Sequence, residues 1–182
     1  MTAASSFVTR RRYTMKYELV ECECIETGKI QSMMDEFSAN GEFCNALWRA
    51  YEIGVLNWQT ERIDEIKHHE YVLGFMVDTC MIGVTRITPN PNHESNGKIG
   101  YYIRPSYRHL GYGTILLHLI EDFCLTNEIY LPTAVCSVGN IQSIKTLGNA
   151  GWYATGKEYD WVSENTIRKA LEFRPKRLVG IT

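Results

Sequence analysis

The residues with the clearest chemical potential form one short sequence, Arg108-His109-Leu110-Gly111-Tyr112-Gly113-Thr114. Such a glycine-containing loop turns successive backbone N–H groups toward one point, and a following helix adds its unsatisfied donors and the positive end of its dipole. Gly111 and Gly113 let the backbone approach an anion without interference from a Cβ atom. The loop therefore predicts a cradle for a diphosphate.

Side chains of the same loop can strengthen this cradle. Arg108 can add a cation, and Thr114 can add a hydroxyl donor. Two other phosphate loops do not fit: the P-loop requires Lys-Ser/Thr directly after its last glycine, and the dinucleotide fingerprint requires a third glycine where this chain has Leu116. The pattern thus indicates a phosphate site outside these two nucleotide motifs.

The elements on either side of the loop can be predicted from periodicity. Lys98 to Arg104 is typical of a strand, and Pro105 ends it because proline cannot donate to a ladder. After the loop, apolar residues recur with the spacing of a helix that packs on a sheet, at Leu116, Leu119, Ile120 and Phe123. The cradle is therefore expected between a strand and a helix.

In the rest of the chain, a predicted strand comes first, helices alternate with strands, and strands come last. We predict strands at Tyr17 to Ile25, Tyr71 to Val77, Cys80 to Thr88, Leu131 to Ser137, Trp152 to Ala154, Tyr159 to Val162 and Thr166 to Phe173. We predict one helix that has Thr27 as its N-cap, a second around Phe43 to Tyr51, and a third over Asn140 to Asn149. This order favours a mixed sheet with helices on both faces, an α+β fold in three α/β/α layers.

Composition limits the class of protein. The chain has 182 residues, 45% of them hydrophobic, and a net charge of −2, which favours one globular domain and removes the electrostatic argument for nucleic acid. No apolar run approaches the roughly 20 residues that a membrane span needs. We expect an N-terminal extension over residues 1–15, a domain over 16–173 and a frayed basic tail over 174–182. Six cysteines without a secretory signal favour free thiols in the cytoplasm.

The loop and a second segment resemble one known family. Arg-x-x-Gly-x-Gly-Thr at 108–114 resembles the acyl-CoA-binding motif of the GNAT superfamily of N-acetyltransferases. Asn140 to Lys145, followed by Gly151-Trp152, is similar to the second motif of that family. The resemblance covers roughly residues 16–173, and residues 97–106 resemble a group of uncharacterised predicted acetyltransferases within the family.

This resemblance implies a fold and a co-substrate. It implies a mostly antiparallel sheet whose fourth and fifth strands splay apart, with acetyl-CoA lying along the exposed edge of the strand near Ile103 and Arg104. A backbone N–H of one of these residues would polarise the thioester carbonyl. The cofactor-binding residues implied are Ile103, Arg104, Arg108, His109, Leu110, Gly111, Tyr112, Gly113, Thr114, Asn140 and Ser143.

The resemblance also implies acetyl transfer to a primary amine of a small molecule, peptide or protein, by direct attack in a ternary complex without a metal. The family's usual tyrosine acid falls on Leu147, and its usual strand carboxylate falls near Gly97. Substitutes are Glu94 as base, beside His93, and Tyr101 or Tyr102 as acid, on opposite faces of one strand. Packing is the competing interpretation for both tyrosines and for Cys136, which would lie near the thioester.

Several alternatives stay open at this stage. A non-catalytic acyl-CoA-binding module of the same fold would explain the vacant acid and base positions. Cys22 and Cys24 alternate with glutamates, which favours two sulfurs packed on one strand face over a zinc site. The polar run His68-His69-Glu70 is predicted to lie on the solvated surface. A homodimer is compatible with the sequence, which does not identify the acceptor.

Overall fold

The computed structural model describes residues 15–40, 44–55, 70–90, 93–129, 131–163 and 166–178. Its seven strands are β1 Tyr17–Glu21, β2 Tyr71–Val77, β3 Cys80–Asn90, β4 His93–Ile103, β5 Leu131–Ser137, β6 Trp152–Ser163 and β7 Thr166–Pro175. The α-helices of this part of the chain are α1 Thr27–Ala39, α2 Asn45–Gly54, α3 Tyr112–Thr126 and α4 Ile141–Asn149. None of these helices is long and apolar enough to cross a membrane.

The strands form one mixed sheet in the order β1-β2-β3-β4-β5-β7-β6. Only the β4–β5 pair is parallel. Helices α1 and α2 pack on one face, where Leu47 joins Val84 in a buried cluster. Helices α3 and α4 pack on the other face, where Leu117 joins Phe75 in a second cluster. The predicted three-layer, mostly antiparallel fold is confirmed.

The parallel ladder between β4 and β5 ends early. Pairing runs from Asn96–Leu131 to Ile99–Ala134 and stops, although β4 continues to Ile103. From Ala134 onward β5 pairs with β7 instead. The predicted splay is thus present, and it leaves the last four residues of β4 with an open edge.

The N-terminal elements differ from the sequence prediction at their ends. Strand β1 stops at Glu21, and a 3₁₀ turn over Cys22–Cys24 follows it. Because this turn breaks the strand alternation, Cys22 is buried and Cys24 is exposed, so the prediction of two sulfurs on one face is wrong. All six cysteines are free thiols. Thr27 is also not the N-cap of α1; it is the first helical residue, and its Oγ1 donates to the Gly54 carbonyl at 3.2 Å.

The predicted frayed tail is wrong for its first residues. Strand β7 extends to Pro175, and a 3₁₀ turn over Lys176–Leu178 follows. Leu178 is 1% exposed and belongs to the cluster beneath α3. The fold therefore includes the chain at least to Leu178, beyond the predicted end at residue 173.

A buried ion cluster fixes α2 on the sheet. Glu70, at the start of β2, is 8% exposed, so its assignment to a solvated run is wrong. Its carboxylate pairs with Arg86 of β3, and its Oε1 lies 2.8 Å from Nε of Arg49 on α2. Arg49 also contacts Glu52 at 2.6 Å. His68 and His69 lie outside the described residues.

Removal of the Glu70 charge tests this cluster. Glu70→Gln leaves two arginines short of a carboxylate in a largely buried place, so we expect the free energy of unfolding to fall by about 2 to 3 kcal/mol. Urea unfolding at pH 7 measures the change. The control is Glu18→Gln, which removes a surface pair with Lys16 and should cost less than about 0.5 kcal/mol. Equal losses in the two variants would contradict a structural role for Glu70.

Candidate functional site

The open edge of β4 presents backbone groups that no neighbouring strand uses. The Arg104 amide donates to the Ile82 carbonyl of β3 at 2.9 Å. Because successive residues of a strand alternate between neighbours, the backbone groups of Tyr101 and Ile103 face the missing partner. The Ile103 carbonyl accepts from Arg108 Nε at 2.9 Å, and the Tyr101 carbonyl accepts from Cys44 Sγ at 3.8 Å. The two amides are left as donors for a ligand in strand-like pairing.

Arg104 links the end of β4 to its neighbours β3 and α1. Its amide belongs to the β3 ladder, and its Nε lies 2.6 Å from Oε2 of Glu36 on α1. A further guanidinium contact reaches the Ser32 hydroxyl at 3.3 Å. The Arg104 amide is thus used by β3, and its side chain holds α1 against the end of β4. The predicted cofactor contact of Arg104 stays a prediction.

Beyond β4 lies the loop that the sequence predicts to bind a diphosphate. Gly111 and His109 both adopt left-handed backbone conformations, with φ values of 85° and 62°. The Arg108 amide donates to Pro105, and the Thr114 amide donates to Gly111. Five backbone amides lie between Arg108 and Thr114, and within the described chain none of them donates to a protein group. They are the amides of His109, Leu110, Gly111, Tyr112 and Gly113. Consecutive free amides at the start of α3 fit a diphosphate.

The two loop glycines are required for different reasons. Gly111 is the N-cap of α3, and its left-handed conformation disfavours any residue with a Cβ atom. Its Cβ position has open space around it, with no atom within 4 Å. A Cβ on Gly113 would lie 2.8 Å from Cγ2 of Thr146 on α4. Gly113 therefore sets the approach of α3 to α4, a role that the loop sequence alone does not reveal.

Arg108 lies at the junction of the open edge and the cradle. Its Nε donates to the Ile103 carbonyl, and its guanidinium carbon lies 5.2 Å from the centre of the Tyr102 ring. These contacts fix the cation at the end of β4. The predicted contribution of its charge to diphosphate binding stays a prediction.

The two candidate tyrosines point to opposite faces of β4, as predicted. The Tyr102 ring packs edge-on against Phe37 at 5.7 Å and is 6% exposed, on the side of α1 and α2. Tyr101 lies on the other face, where its hydroxyl is 2.9 Å from the Ser143 hydroxyl on α4. Leu147, at the usual acid position, is fully buried in the core. Of the two tyrosines, Tyr101 is the one beside the second motif.

Ser143 is positioned by the N-cap of α4. Asn140 is the N-cap of α4, and its Oδ1 accepts a hydrogen bond from the Ser143 amide at 3.1 Å. Burial raises the pKa of Tyr101 to about 12, although its bond to Ser143 acts in the opposite direction. The Tyr101 hydroxyl therefore keeps its proton at neutral and moderately alkaline pH.

Cys136 lies near the same place, on β5. Its thiol is 3.7 Å from the Asn140 carbonyl, and the residue is 6% exposed. Burial raises the pKa of the Cys136 thiol, which makes it a weak nucleophile. These observations support the packing interpretation. The side chains of Glu94 and His93 lie outside the described residues, so their catalytic role stays a prediction.

Comparison with known proteins gives the class to which this fold and site belong. The sequence profile of the acetyltransferase (GNAT) family matches residues 33–152. The match covers more than half of the chain, and the chain belongs to this family of acetyltransferases. No curated protein matches the chain significantly.

Solved structures agree with the chain in fold at low sequence identity. A GNAT-family acetyltransferase from Streptococcus pneumoniae is 14% identical, over 88% of this chain and 98% of its own, with a TM-score of 0.62. YncA from Salmonella typhimurium, solved with its cofactor acetyl-CoA, is 12% identical over 88% and 92%, with a TM-score of 0.63. The microcin C7 self-immunity acetyltransferase MccE, solved with acetyl-CoA and AMP, is 13% identical over 90% and 92%, with a TM-score of 0.67.

The contact between the cradle and α4 gives a testable prediction. Gly113→Ala places a methyl group against Thr146, and the resulting displacement of the α3 start should weaken acetyl-CoA binding by about 1 kcal/mol or more. Thr146→Ser removes the opposing methyl group and should restore binding in the double variant. Isothermal titration calorimetry with acetyl-CoA measures the four members of this cycle.

Gly111→Ala is the matched control for this cycle. Its defect comes from the left-handed backbone, so Thr146→Ser should not rescue it. Rescue of both alanine variants, or of neither, would contradict the distinct roles assigned to the two glycines.

Proposed function

We propose that this acetyltransferase acts in the cytoplasm and transfers the acetyl group of acetyl-CoA to a primary amine of a small molecule, peptide or protein. The observation that carries the proposal is the open edge at Tyr101 and Ile103, directly followed by a loop with five free amides. The first can pair with an extended arm that contains amides, and the second can bind a diphosphate. Acetyl-CoA contains both groups.

The chain's own residues would hold the donor in two places. The amides of His109 to Gly113 bind the diphosphate, with the Arg108 charge and the Thr114 hydroxyl beside them. The edge of β4 binds the pantetheine arm, and Asn140 and Ser143 line the other side of the splay through the start of α4. Bound there, acetyl-CoA supplies an activated acyl carbon and a thiolate leaving group.

Ile103 and Tyr101 then stabilise the charge that develops during transfer. The Ile103 amide donates to the acyl oxygen, because the Arg104 amide already donates to the Ile82 carbonyl. Tyr101 donates a hydrogen bond to the leaving sulfur. Because its pKa of about 12 exceeds the roughly 8.5 of a thiol, Tyr101 stabilises the sulfur without losing its own proton.

The attacking amine must lose its proton, since a lysine-like ammonium has a pKa of about 10. Glu94, with His93 beside it in the sequence, is the proposed base, acting through water. Tyr102 takes no part in this scheme, because its ring is buried between Phe37 and Arg108. We therefore assign Tyr102 a packing role and leave the contact with the leaving sulfur to Tyr101.

The proposal is tested with the purified chain and a panel of amines. Calorimetry should detect acetyl-CoA binding, and a thiol reagent should detect release of CoA in the presence of at least one amine. Absence of acetyl-CoA binding would contradict the proposal. Binding without release for any amine would favour the non-catalytic acyl-CoA-binding module instead.

Two matched tyrosine variants test the proposed hydrogen bond from Tyr101 to the leaving sulfur. Tyr101→Phe should lower kcat by about 100-fold, because it removes the hydrogen bond to the leaving sulfur. Tyr102→Phe changes the neighbouring residue on the other face and should leave kcat within about twofold of wild type. Steady-state rates at saturating acetyl-CoA measure both. Equal losses would remove Tyr101 from its proposed role.

The pH profile gives a separate test. Tyr101 stays protonated up to its pKa of about 12, whereas the acceptor amine becomes neutral as the pH rises. The rate should therefore increase from neutral pH without an alkaline decline below about pH 11. A decline near pH 9 to 10 that disappears in Tyr101→Phe would show that an ordinary tyrosine titrates there.

A further inference from the structure

Glu121 is a buried carboxylate of α3 that the scheme proposed for acetyl transfer does not use. The residue is 1% exposed, and its Oε1 accepts a hydrogen bond from Nε1 of Trp152 at 2.6 Å. Within the described chain its Oε2 has no hydrogen-bond partner, and the nearest basic groups, His118 Nδ1 and Arg177 Nη1, lie 3.7 and 3.9 Å away. Burial raises the pKa of this carboxyl group. Because a buried charge with so few partners costs stability, packing does not explain a glutamate here.

Trp152, the partner of Glu121, lies where the chain passes from α4 into β6. The preceding residue, Gly151, has a left-handed conformation with a φ value of 83°. Trp152 is 3% exposed and belongs to the buried cluster beneath α3 and α4. An indole N–H in such a place needs a hydrogen-bond acceptor, and Glu121 supplies it from α3. The bond therefore connects the middle of α3 to the end of α4.

The Glu121–Trp152 bond adds a second contact between α3 and the α4 region to the one beside the cradle. The first contact is that of Gly113 with Thr146. Gly113 and Glu121 are eight residues apart on α3, which is about 12 Å along its axis. A hydrogen bond has a defined direction, unlike the apolar contacts around it, so this bond fixes the direction of α4 as well as its distance from α3. The direction of α4 in turn determines where Ser143 lies.

The 3₁₀ turn after β7 closes over the same place. Its Lys176 amide donates to the Gly151 carbonyl at 3.2 Å. Nη1 of Arg177 lies 2.8 Å from Oδ1 of the exposed Asp122 and 3.9 Å from Oε2 of Glu121. The turn thus supplies a cation near the carboxylate oxygen that lacks a hydrogen bond, while the other oxygen stays with the indole.

Resting on the proposed function, we propose that Glu121 is a positioning residue for acetyl transfer. Its bond to Trp152 holds the direction of α4, and α4 carries the Ser143 hydroxyl that lies 2.9 Å from the Tyr101 hydroxyl. Both Glu121 and Trp152 are buried in the core, so they act through α4 and not on the substrates. Loss of the bond therefore slows the transfer step and leaves acetyl-CoA binding nearly unchanged, because the contact beside the cradle remains.

Three variants test this role. Glu121→Leu removes the acceptor, and Trp152→Phe removes the donor but keeps an aromatic ring. Each should lower kcat at saturating acetyl-CoA by at least about fivefold and leave the acetyl-CoA Kd within about twofold. Glu121→Gln keeps an oxygen that accepts from the indole, so its kcat should stay within about twofold of wild type. The control is Asp122→Asn, which removes the exposed partner of Arg177 and should not change kcat.

Two further measurements separate the bond from general loss of packing. The double variant Glu121→Leu/Trp152→Phe should have the kcat of the single variants, because the bond is already absent in each of them. Hydrogen exchange, which does not depend on turnover, should become faster at the amides of α4 in Glu121→Leu and stay at the wild-type rate in Glu121→Gln. If Trp152→Phe does not fold, the leucine and glutamine variants decide.

The outcomes separate this inference from the proposed function. Unchanged kcat in Glu121→Leu would overturn the positioning role, and so would additive losses in the double variant. An equal loss in Glu121→Gln, or a parallel loss of acetyl-CoA affinity, would overturn it as well. If the wild-type chain binds acetyl-CoA but acetylates no amine, the proposed function falls by itself. Hydrogen exchange then decides whether Glu121 holds α4, and an unchanged rate in Glu121→Leu would overturn that.

Discussion

The early end of the β4–β5 ladder is the constraint on which the rest of this structure depends. After four parallel pairs the strands separate, and hydrogen-bonding groups that a continuous sheet would satisfy are left open. A bare edge inside a domain is unfavourable unless its groups find partners. Here Arg108 and Cys44 satisfy two carbonyls, and the amides remain for a ligand.

Further contacts stabilise the sheet on either side of this gap. On one side, the Glu70 cluster and the Arg104–Glu36 pair bind α2 and α1 to the strands. On the other side, Glu121 of α3, 1% exposed, accepts a hydrogen bond from the Trp152 indole of β6 at 2.6 Å. Burial raises the pKa of the Glu121 carboxyl. The buried cluster beneath α3 and α4 contains residues of both β4 and β5, so the two halves of the sheet also share one core.

The sequence was sufficient for the features that depend on local order. Periodicity and the glycine loop predicted the elements around the cradle, and the family resemblance predicted the splay. The sequence did not predict contacts between distant segments. Nothing in the run His68-His69-Glu70 indicates that Glu70 contacts arginines of α2 and β3. Strand alternation placed Tyr101 and Tyr102 on opposite faces, but only the contact with Ser143, 42 residues away, decided which one faces the second motif.

The close approach of Gly113 to Thr146 has a mechanical meaning. Thr146 lies one helical turn after Ser143 on α4, so the helix that touches the phosphate cradle is also the helix that orients the Tyr101 hydroxyl. A shift of the cradle on binding a diphosphate would be transmitted through a rigid contact, without a flexible linker to absorb it. In the proposed site, the loop that would bind the far end of the donor and the hydroxyl that would lie beside its sulfur are thereby connected through one helix.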